Sequence, residues 1–321
     1  MKRRDPTLLK YSLILLYKII GKIYDKDKRI ARRLPHYFPT YRSFAGESLN
    51  QILRYASSPR SFSPQGIVIE PTNHCNLKCK HCTAQTNDEE RGYMDYEFYK
   101  RILDTNPQIT CLMLSRYGEP FLHPRIFEMI EYAKGKNIYV FTYTNGVLLS
   151  EDKIDRIFAS RLDEINFSVE GTGEEYEKNR GISYDILKRN LECLIDKRRT
   201  TGSKIRIGIN MTEIDGKDDN AEAVKREWQG RVDYIDIGPL VGRRMSIRTA
   251  SCRILWRNTV IRWDGTAFPC CIDMNSSLAL GDLKTASLKE IFNGDKAVSL
   301  RESHLKRKFP EVCKYCGPIF G

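Results

Sequence analysis

The chain has 321 residues, of which 41% are apolar, enough for one large domain and one or two smaller pieces. No run reaches the ~18 consecutive apolar residues of a membrane span. Ten cysteines in a chain of this length are too few for a disulfide-rich secreted scaffold and suit a reducing, cytoplasmic location. The formal charge is +12, yet residues 1–60 hold 14 Lys and Arg against 4 Asp and Glu while the rest is nearly neutral, which argues against a nucleic-acid partner along the main body.

The basic N-terminal extension, residues 1–60, contains a dense apolar stretch over residues 8–24. On a helix, three of its lysines fall within about 120° of one another, which predicts an amphipathic helix: Lys10, Lys18 and Lys22. Two interpretations stay open. Residues 8–33 could bind peripherally to the inner face of an anionic membrane, or the helix could dock onto the barrel or another subunit. The internal lysines and the lack of a small-residue cleavage site argue against a signal peptide.

Residues 61–240 alternate apolar β-type runs with helical patterns, which is typical of βα units and a parallel sheet. The predicted strands are 66–70, 110–115, 138–144, 164–169, 204–211 and 234–237. Helices are predicted over 95–103, 125–134, 151–159, 184–197 and 221–228, with Asp95 and Ser150 as N-caps and Pro124 in a first turn. The pattern predicts the α/β class with a partial (β/α)6, TIM-like barrel, in which functional residues follow the carboxyl ends of strands.

Three cysteines, Cys75, Cys79 and Cys82, follow the first predicted strand in a C-x3-C-x2-C spacing. Three thiolates on one loop can hold three irons of a four-iron cluster and leave the fourth open, whereas most such clusters use four cysteines. Zinc is the alternative, because Cys79 and Cys82 form one C-x2-C pair, but a conventional second pair is missing nearby.

This loop resembles the signature of the radical S-adenosylmethionine (radical SAM) enzymes. The resemblance implies a [4Fe-4S] cluster on the three cysteines and SAM on the fourth iron. It further implies reductive cleavage of SAM to a 5′-deoxyadenosyl radical that abstracts hydrogen from a C–H bond. A flavodoxin- or ferredoxin-type protein is the implied electron donor. The protein then has to supply position, reduction potential and a dry cavity.

The resemblance extends to polar residues that follow later strands. Glu119 would contact the methionine amino group, Glu170 the ribose, and Arg180 the SAM carboxylate. Glu170 departs from the family's commoner Asp, and Arg180 taken alone fits a solvated helix end as well. The SAM-binding residues that the resemblance implies are His81, Gly118, Glu119, Asn145, Ser168, Glu170, Arg180 and Asn210.

Residues 241–321 carry a second cysteine set: Cys252, Cys270, Cys313 and Cys316. A hairpin turned at residues 264–265 would bring two of them together, and on spacing alone tetrahedral zinc and an iron–sulfur cluster fit equally. The segment resembles the SPASM/twitch extension of radical SAM enzymes, which implies one auxiliary [4Fe-4S] cluster on these four cysteines, as an electron relay or a brace. Cys271 is left over as a spare ligand, a hydrogen-atom donor or a buried thiol.

The resemblance as a whole predicts a radical SAM oxidoreductase that oxidises, epimerises or rearranges a sugar, aminocyclitol or lipid-linked substrate. Peptide maturation is the first alternative, and it ranks lower because residues 1–60 lack the strand–helix pattern of a leader-binding domain. The second alternative is a non-catalytic iron–sulfur or zinc scaffold.

Overall fold

A computed structural model describes residues 58–82, 84, 90–214, 218–239, 247–273, 276–314 and 316. The predicted amphipathic helix and its membrane-binding segment, residues 8–33, lie outside the described residues. Within the described ranges, none of the helices combines the length and apolar character needed to cross a bilayer.

Strands and helices alternate through the first two thirds of the described chain. The strands there are β1 Gly66–Ile69, β2 Cys111–Leu114, β3 Tyr139–Thr144, β4 Glu164–Ser168, β5 Arg206–Glu213 and β6 Tyr234–Pro239. The helices are α1 Tyr96–Asp104, α2 Ile126–Gly135, α3 Glu151–Ala159, α4 Gly173–Arg180, α5 Tyr184–Thr201 and α6 Asp218–Trp228. The later elements are β7 Asn258–Ile261, β8 Thr266–Phe268, β9 Gly281–Asp282, α7 Leu288–Phe292, α8 Asp295–Leu305 and α9 Glu311–Lys314.

The described strands form one sheet in the order β6-β5-β4-β3-β2-β1-β7-β8-β9. Strands β1 to β6 are parallel, each to its neighbour in the chain, so the predicted partial (β/α)6 barrel is confirmed. The free side of β1 does not close onto β6. It pairs in parallel with β7, Gly66 opposite Asn258, and the antiparallel pairs β7–β8 and β8–β9 continue the sheet. The division at residues 240–241 remains a prediction.

Local sequence determines where the helices begin. Asp95 and Ser150 each accept a first-turn backbone N–H, so both predicted N-caps are confirmed. The prediction for Pro124 was wrong, because α2 begins two residues later, after Arg125. The intervening turn is held by His123, whose Nδ1 accepts the N–H of Arg125 at 3.1 Å while its Nε2 lies 2.9 Å from a backbone carbonyl oxygen.

The two faces of the barrel strands differ in character. The outward face packs under the helices in the main apolar core, which includes Ile67, Leu112, Val140, Ile165 and Ile207. The face toward the barrel lumen carries a separate, smaller cluster, in which Tyr139 and Phe141 pack with Tyr143.

Residues 58–64, which lead into β1, are held to the C-terminal region. The amide of Asn293 exchanges hydrogen bonds with the backbone of Ser61, at 2.9 and 2.8 Å. Trp256 Nε1 donates to the carbonyl of Ser58 at 2.8 Å, and Arg301 Nη1 to that of Pro59 at 3.3 Å. The described part of this segment is therefore built into the fold.

Candidate functional site

The first cysteine set lies on the loop after β1, at the carboxyl edge of the barrel. Cys79 is buried, Cys75 and Cys82 are half-buried, and the Cys82 N–H donates to the Cys79 carbonyl at 3.1 Å. Burial raises the pKa of Cys75 to about 11, and the neighbouring Cys79 and Cys82 thiols act in the same direction. The three thiols are thus close neighbours, and they need a positive partner before they can all ionise. We call residues 75–82 the cysteine loop.

Glu119 connects the loops that follow β2 and β3. Its Oε1 accepts the Phe121 N–H at 3.2 Å and the Thr144 hydroxyl at 2.8 Å, and its Oε2 accepts the Asn145 N–H at 2.8 Å. Burial raises the pKa of this carboxyl, against the effect of these three hydrogen bonds. The carboxylate expected to meet SAM is therefore already engaged in positioning its surroundings.

Gly118 and Asn145 bring these loops against the cysteine loop. A Cβ at Gly118 would lie 2.2 Å from the carbonyl oxygen of Thr72, so only glycine permits this approach. The Asn145 amide donates to Asn76 Oδ1 at 2.9 Å and lies 3.9 Å from Cys75 Sγ. Both predicted residues are therefore gathered at the cysteines.

Glu170 and Arg180 form a buried ion pair beside Cys79. Arg180 donates through Nε and Nη2 to the Glu170 carboxylate, and its Nη1 lies 3.4 Å from Cys79 Sγ. Burial raises the pKa of Cys79, and the guanidinium opposes that rise. His81 Nε2 lies 3.8 Å from Glu170 Oε1, and burial lowers the pKa of its imidazole. Arg180 is thus not a solvated helix end; its contact with the SAM carboxylate stays a prediction.

Ser168 and Asn210 are brought opposite each other by the pairing of β4 and β5. Both are half-buried, and the Asn210 carbonyl accepts the Val169 N–H at 3.0 Å. Ser168 ends β4, whereas Asn210 lies three residues before the end of the longer β5. Direct contacts of their side chains with SAM remain predictions.

Two buried polar atoms fit a bound group near the cysteine loop. The hydroxyl of Tyr176 and Nδ1 of His81 make no hydrogen bond to any described residue. Buried polar groups are normally paired, so these atoms are consistent with a polar ligand such as SAM. In the described ranges, no three His, Cys, Asp or Glu side chains are arranged to hold a single metal ion.

Sequence reasoning missed a charged network centred on Glu164 at the amino end of the lumen. This fully buried carboxylate accepts hydrogen bonds from four side chains at 2.6–3.1 Å: Tyr139, Tyr234, Arg206 and Asn166. The network closes this end with satisfied polar groups, so an open reaction space must lie toward the carboxyl edge. Its only sequence signal is polar residues at strand starts.

Arg116, also missed, joins the barrel to the C-terminal region. Its side chain is 1% exposed, and Nη1 lies 3.6 Å from Glu70 Oε1. The guanidinium lies over the Phe268 ring at 5.1 Å, and Nη2 is 3.4 Å from the Asp273 carbonyl oxygen. Cys271 packs half-buried near the same Phe268, so this leftover thiol faces the barrel.

We call Cys252, Cys270, Cys313 and Cys316 the auxiliary cysteines. Cys252 precedes β7 and Cys270 follows β8, so the hairpin returns the second to the level of the first. Burial raises the pKa of both Cys270 and Cys313, and the thiol of Cys252 acts in the same direction. The Cys316 N–H donates to the Cys313 carbonyl at 3.3 Å. Ligation of one cluster by these four residues remains a prediction.

Comparisons with known proteins agree with this geometry. The pattern of the Radical SAM superfamily matches residues 69–221, and that of the SPASM iron-sulfur cluster-binding domain matches residues 252–317. The tungsten-containing aldehyde ferredoxin oxidoreductase cofactor-modifying protein of Pyrococcus furiosus is 31% identical over 151 residues. That match covers 45% of this chain and 42% of the relative, so the chain spans less than half of that protein.

Two further proteins are similar over more of the chain. The antilisterial bacteriocin subtilosin biosynthesis protein AlbA of Bacillus subtilis is 24% identical over 310 residues, which cover 80% of this chain and 67% of AlbA. The crystal structure of Streptococcus suis SuiB bound to precursor peptide SuiA superposes with a TM-score of 0.65 at 14% identity. It covers 91% of this chain and 79% of SuiB, and this likeness shows the fold.

Proposed function

The chain belongs to the radical SAM superfamily and carries a SPASM iron–sulfur domain, and on that premise we propose that it matures a peptide by radical chemistry. The similarity to the bacteriocin biosynthesis protein carries the proposal, because it extends over 80% of this chain and so well beyond residues 69–221. AlbA, a bacteriocin biosynthesis protein by its name, supports this alternative better than a sugar, aminocyclitol or lipid-linked substrate.

The cofactors of these domains are [4Fe-4S] clusters and SAM. Cys75, Cys79 and Cys82 would hold the SAM-binding cluster, and the auxiliary cysteines the second one. When bound, these groups supply a 5′-deoxyadenosyl radical for hydrogen abstraction and a further one-electron centre.

The chain's own residues position the reactants and exclude water. Glu119 fixes the Asn145 loop against the cysteine loop through three hydrogen bonds. Arg180 places a positive charge 3.4 Å from Cys79 Sγ and favours the thiolate there. The Glu164 network fills the amino end of the lumen with paired polar side chains, which would exclude water from that end. We propose a net removal of two hydrogen atoms from the peptide, an oxidation for which the second one-electron centre is suited.

Anaerobic reconstitution of the full chain tests the radical assignment. We expect about eight irons per chain, four for each cluster, and release of 5′-deoxyadenosine when SAM and a flavodoxin or dithionite are added. Cys75→Ala should abolish the release, whereas Cys193→Ala, which removes a half-buried thiol of α5, should not. No release from the native chain, or zinc in place of iron, would leave a scaffold as the better description. Undiminished release from Cys75→Ala would refute the assignment of that cysteine to the SAM-binding cluster.

The substrate class is tested with extracts of the cells that make the protein. The holoenzyme is incubated with SAM and either the peptide fraction or the small polar metabolite fraction. We expect only the peptide fraction to raise 5′-deoxyadenosine release above the uncoupled rate, and one peptide to lose the mass of two hydrogen atoms. Stimulation by the metabolite fraction alone would refute the peptide assignment and restore the sugar alternative.

A further inference from the structure

Arg248 is buried beside the auxiliary cysteines, in the segment that leads to Cys252. Its backbone N–H donates to the Lys314 carbonyl at 2.7 Å, between Cys313 and Cys316 in the chain. The residue is only 4% exposed. Arg248 is therefore fixed between two segments that carry auxiliary cysteines.

The guanidinium of Arg248 lacks a charged partner among the described residues. Nη1 donates to the Ala250 carbonyl at 3.2 Å, while Nε and Nη2 have no acceptor in the described ranges. A buried cation is strongly unfavourable unless it is paired and hydrogen bonded. Its burial here indicates a negative group beyond the side chains of the described residues.

His304 offers a second unpaired donor at the same place. The ring is 0% exposed, and its Nδ1 accepts the Cys252 N–H at 3.3 Å. Because Nδ1 is the acceptor, the neutral ring carries its hydrogen on Nε2, and Nε2 finds no partner in the described residues. Burial, with Arg248 acting in the same direction, lowers the pKa of this imidazole to about 4.

Hydrogen bonds place both residues at the segments that carry the auxiliary cysteines. The Arg248 N–H donates to the residue that follows Cys313, and His304 Nδ1 accepts the N–H of Cys252 itself.

We propose that Arg248 and His304 are positioning residues that donate N–H groups to the thiolates and sulfides of the auxiliary cluster and raise its reduction potential. The inference rests on the proposed ligation by the auxiliary cysteines. Charge and hydrogen bonds at the sulfurs set the potential of a cluster. A positive charge stabilises the reduced state more, because that state is the more negative of the two.

A raised potential distinguishes an electron acceptor from a structural brace. A brace needs only four ligands and gains nothing from a buried cation beside them. A buried arginine and a second N–H donor favour a site that can receive an electron. This matches a reaction in which the substrate is oxidised.

The test is an EPR-monitored redox titration of the full chain in which Cys75, Cys79 and Cys82 are alanine, so that only the auxiliary cluster gives a signal. In this parent, Arg248→Met should lower the midpoint potential by at least 59 mV, a tenfold fall in the reduced-to-oxidised ratio at fixed potential. The midpoint potential of Arg248→Lys, which keeps the charge, should lie between those of the parent and of Arg248→Met. His304→Phe should lower the potential less than Arg248→Met. The matched control is Arg253→Met, an exposed arginine one residue after Cys252.

Each outcome decides the inference. Equal potentials for Arg248→Met and Arg253→Met overturn it. Loss of auxiliary iron in Arg248→Met but not in Arg248→Lys supports it, because charge is then the required property. Loss in both overturns it, since the side chain then acts by packing. A parent without iron, or with zinc, refutes the ligand assignment itself, and the radical assignment is still decided separately by 5′-deoxyadenosine release in the native chain.

Discussion

Replacing Glu119 with glutamine tests whether this carboxylate holds the loops of the site together. Glutamine keeps the shape, but its NH2 must take the place of one oxygen. If the nitrogen replaces Oε2, the Asn145 N–H, now 2.8 Å from that oxygen, loses its acceptor inside the protein. The opposite orientation removes the acceptor of two donors, Phe121 and Thr144.

The size of the effect follows from these contacts. A hydrogen bond to a charged group contributes about 1.5–3 kcal/mol, and a buried unsatisfied donor costs about 1–3 kcal/mol. Burial raises the pKa of Glu119, so removing the charge offsets part of this loss. We expect Glu119→Gln to lower the free energy of unfolding by about 2–3 kcal/mol.

Urea denaturation of the anaerobic protein measures the change in unfolding free energy, with Glu174→Gln, an exposed glutamate at the start of α4, as the control. Iron content should fall as well, because Asn145 also holds Asn76 of the cysteine loop. A Glu119→Gln protein within about 0.5 kcal/mol of wild type, the range of ordinary surface substitutions, would refute the reasoning.

Three further substitutions follow from described contacts. Gly118→Ala places a methyl group 2.2 Å from the Thr72 carbonyl and should reduce SAM binding in equilibrium dialysis at least tenfold, with Gly135→Ala, where nothing lies near the new Cβ, as the control. Burial lowers the pKa of His123 from 6.5, so the unfolded chain binds a proton that the folded chain does not. Stability should therefore fall as the pH drops below about 6.5. His123→Asn should reduce this pH dependence of stability in urea titrations. Asn293→Ala removes two hydrogen bonds to Ser61 and should speed limited proteolysis near residue 61 while lowering stability by about 1–3 kcal/mol.

Each of these predictions has a contrary result. Unchanged SAM affinity in Gly118→Ala would mean that the loop can move away from Thr72 at little cost. An identical pH slope in His123→Asn would assign the acid sensitivity to other groups. Equal protease resistance in Asn293→Ala would show that the remaining contacts of residues 58–61 hold the segment without that amide.

The sequence predicts those parts of the site whose residues lie close together in the chain or directly follow a strand. The cysteine loop needs only eight residues, and a residue that follows a parallel strand must lie at the carboxyl edge. The Glu164 network depends instead on Arg206 and Tyr234, which are 42 and 70 residues away. Helix α4 escaped prediction because Gly173–Arg180 is polar except for Tyr176, and so shows no apolar stripe.

The same distinction separates ligands from their surroundings in the C-terminal region. Spacing identifies Cys313 and Cys316 as a pair, but nothing in the order of residues indicates that Arg248 bonds to Lys314 between them. The contact of His304 with Cys252 depends on how α8 packs against the segment at Cys252. Likewise, the family resemblance implies a contact between Arg180 and SAM, whereas the ion pair of Arg180 with Glu170 depends on the packing of α4.

Strand β1, which leads into the cysteine loop, has neighbours from distant parts of the gene. β2 is made soon after it, but β7 leaves the ribosome almost two hundred residues later, as the pairing of Gly66 with Asn258 requires. Until then one side of β1 is a bare edge, open to wrong partners. Metal loading at the loop is therefore safest as a late event, after the last third of the polypeptide has been synthesised.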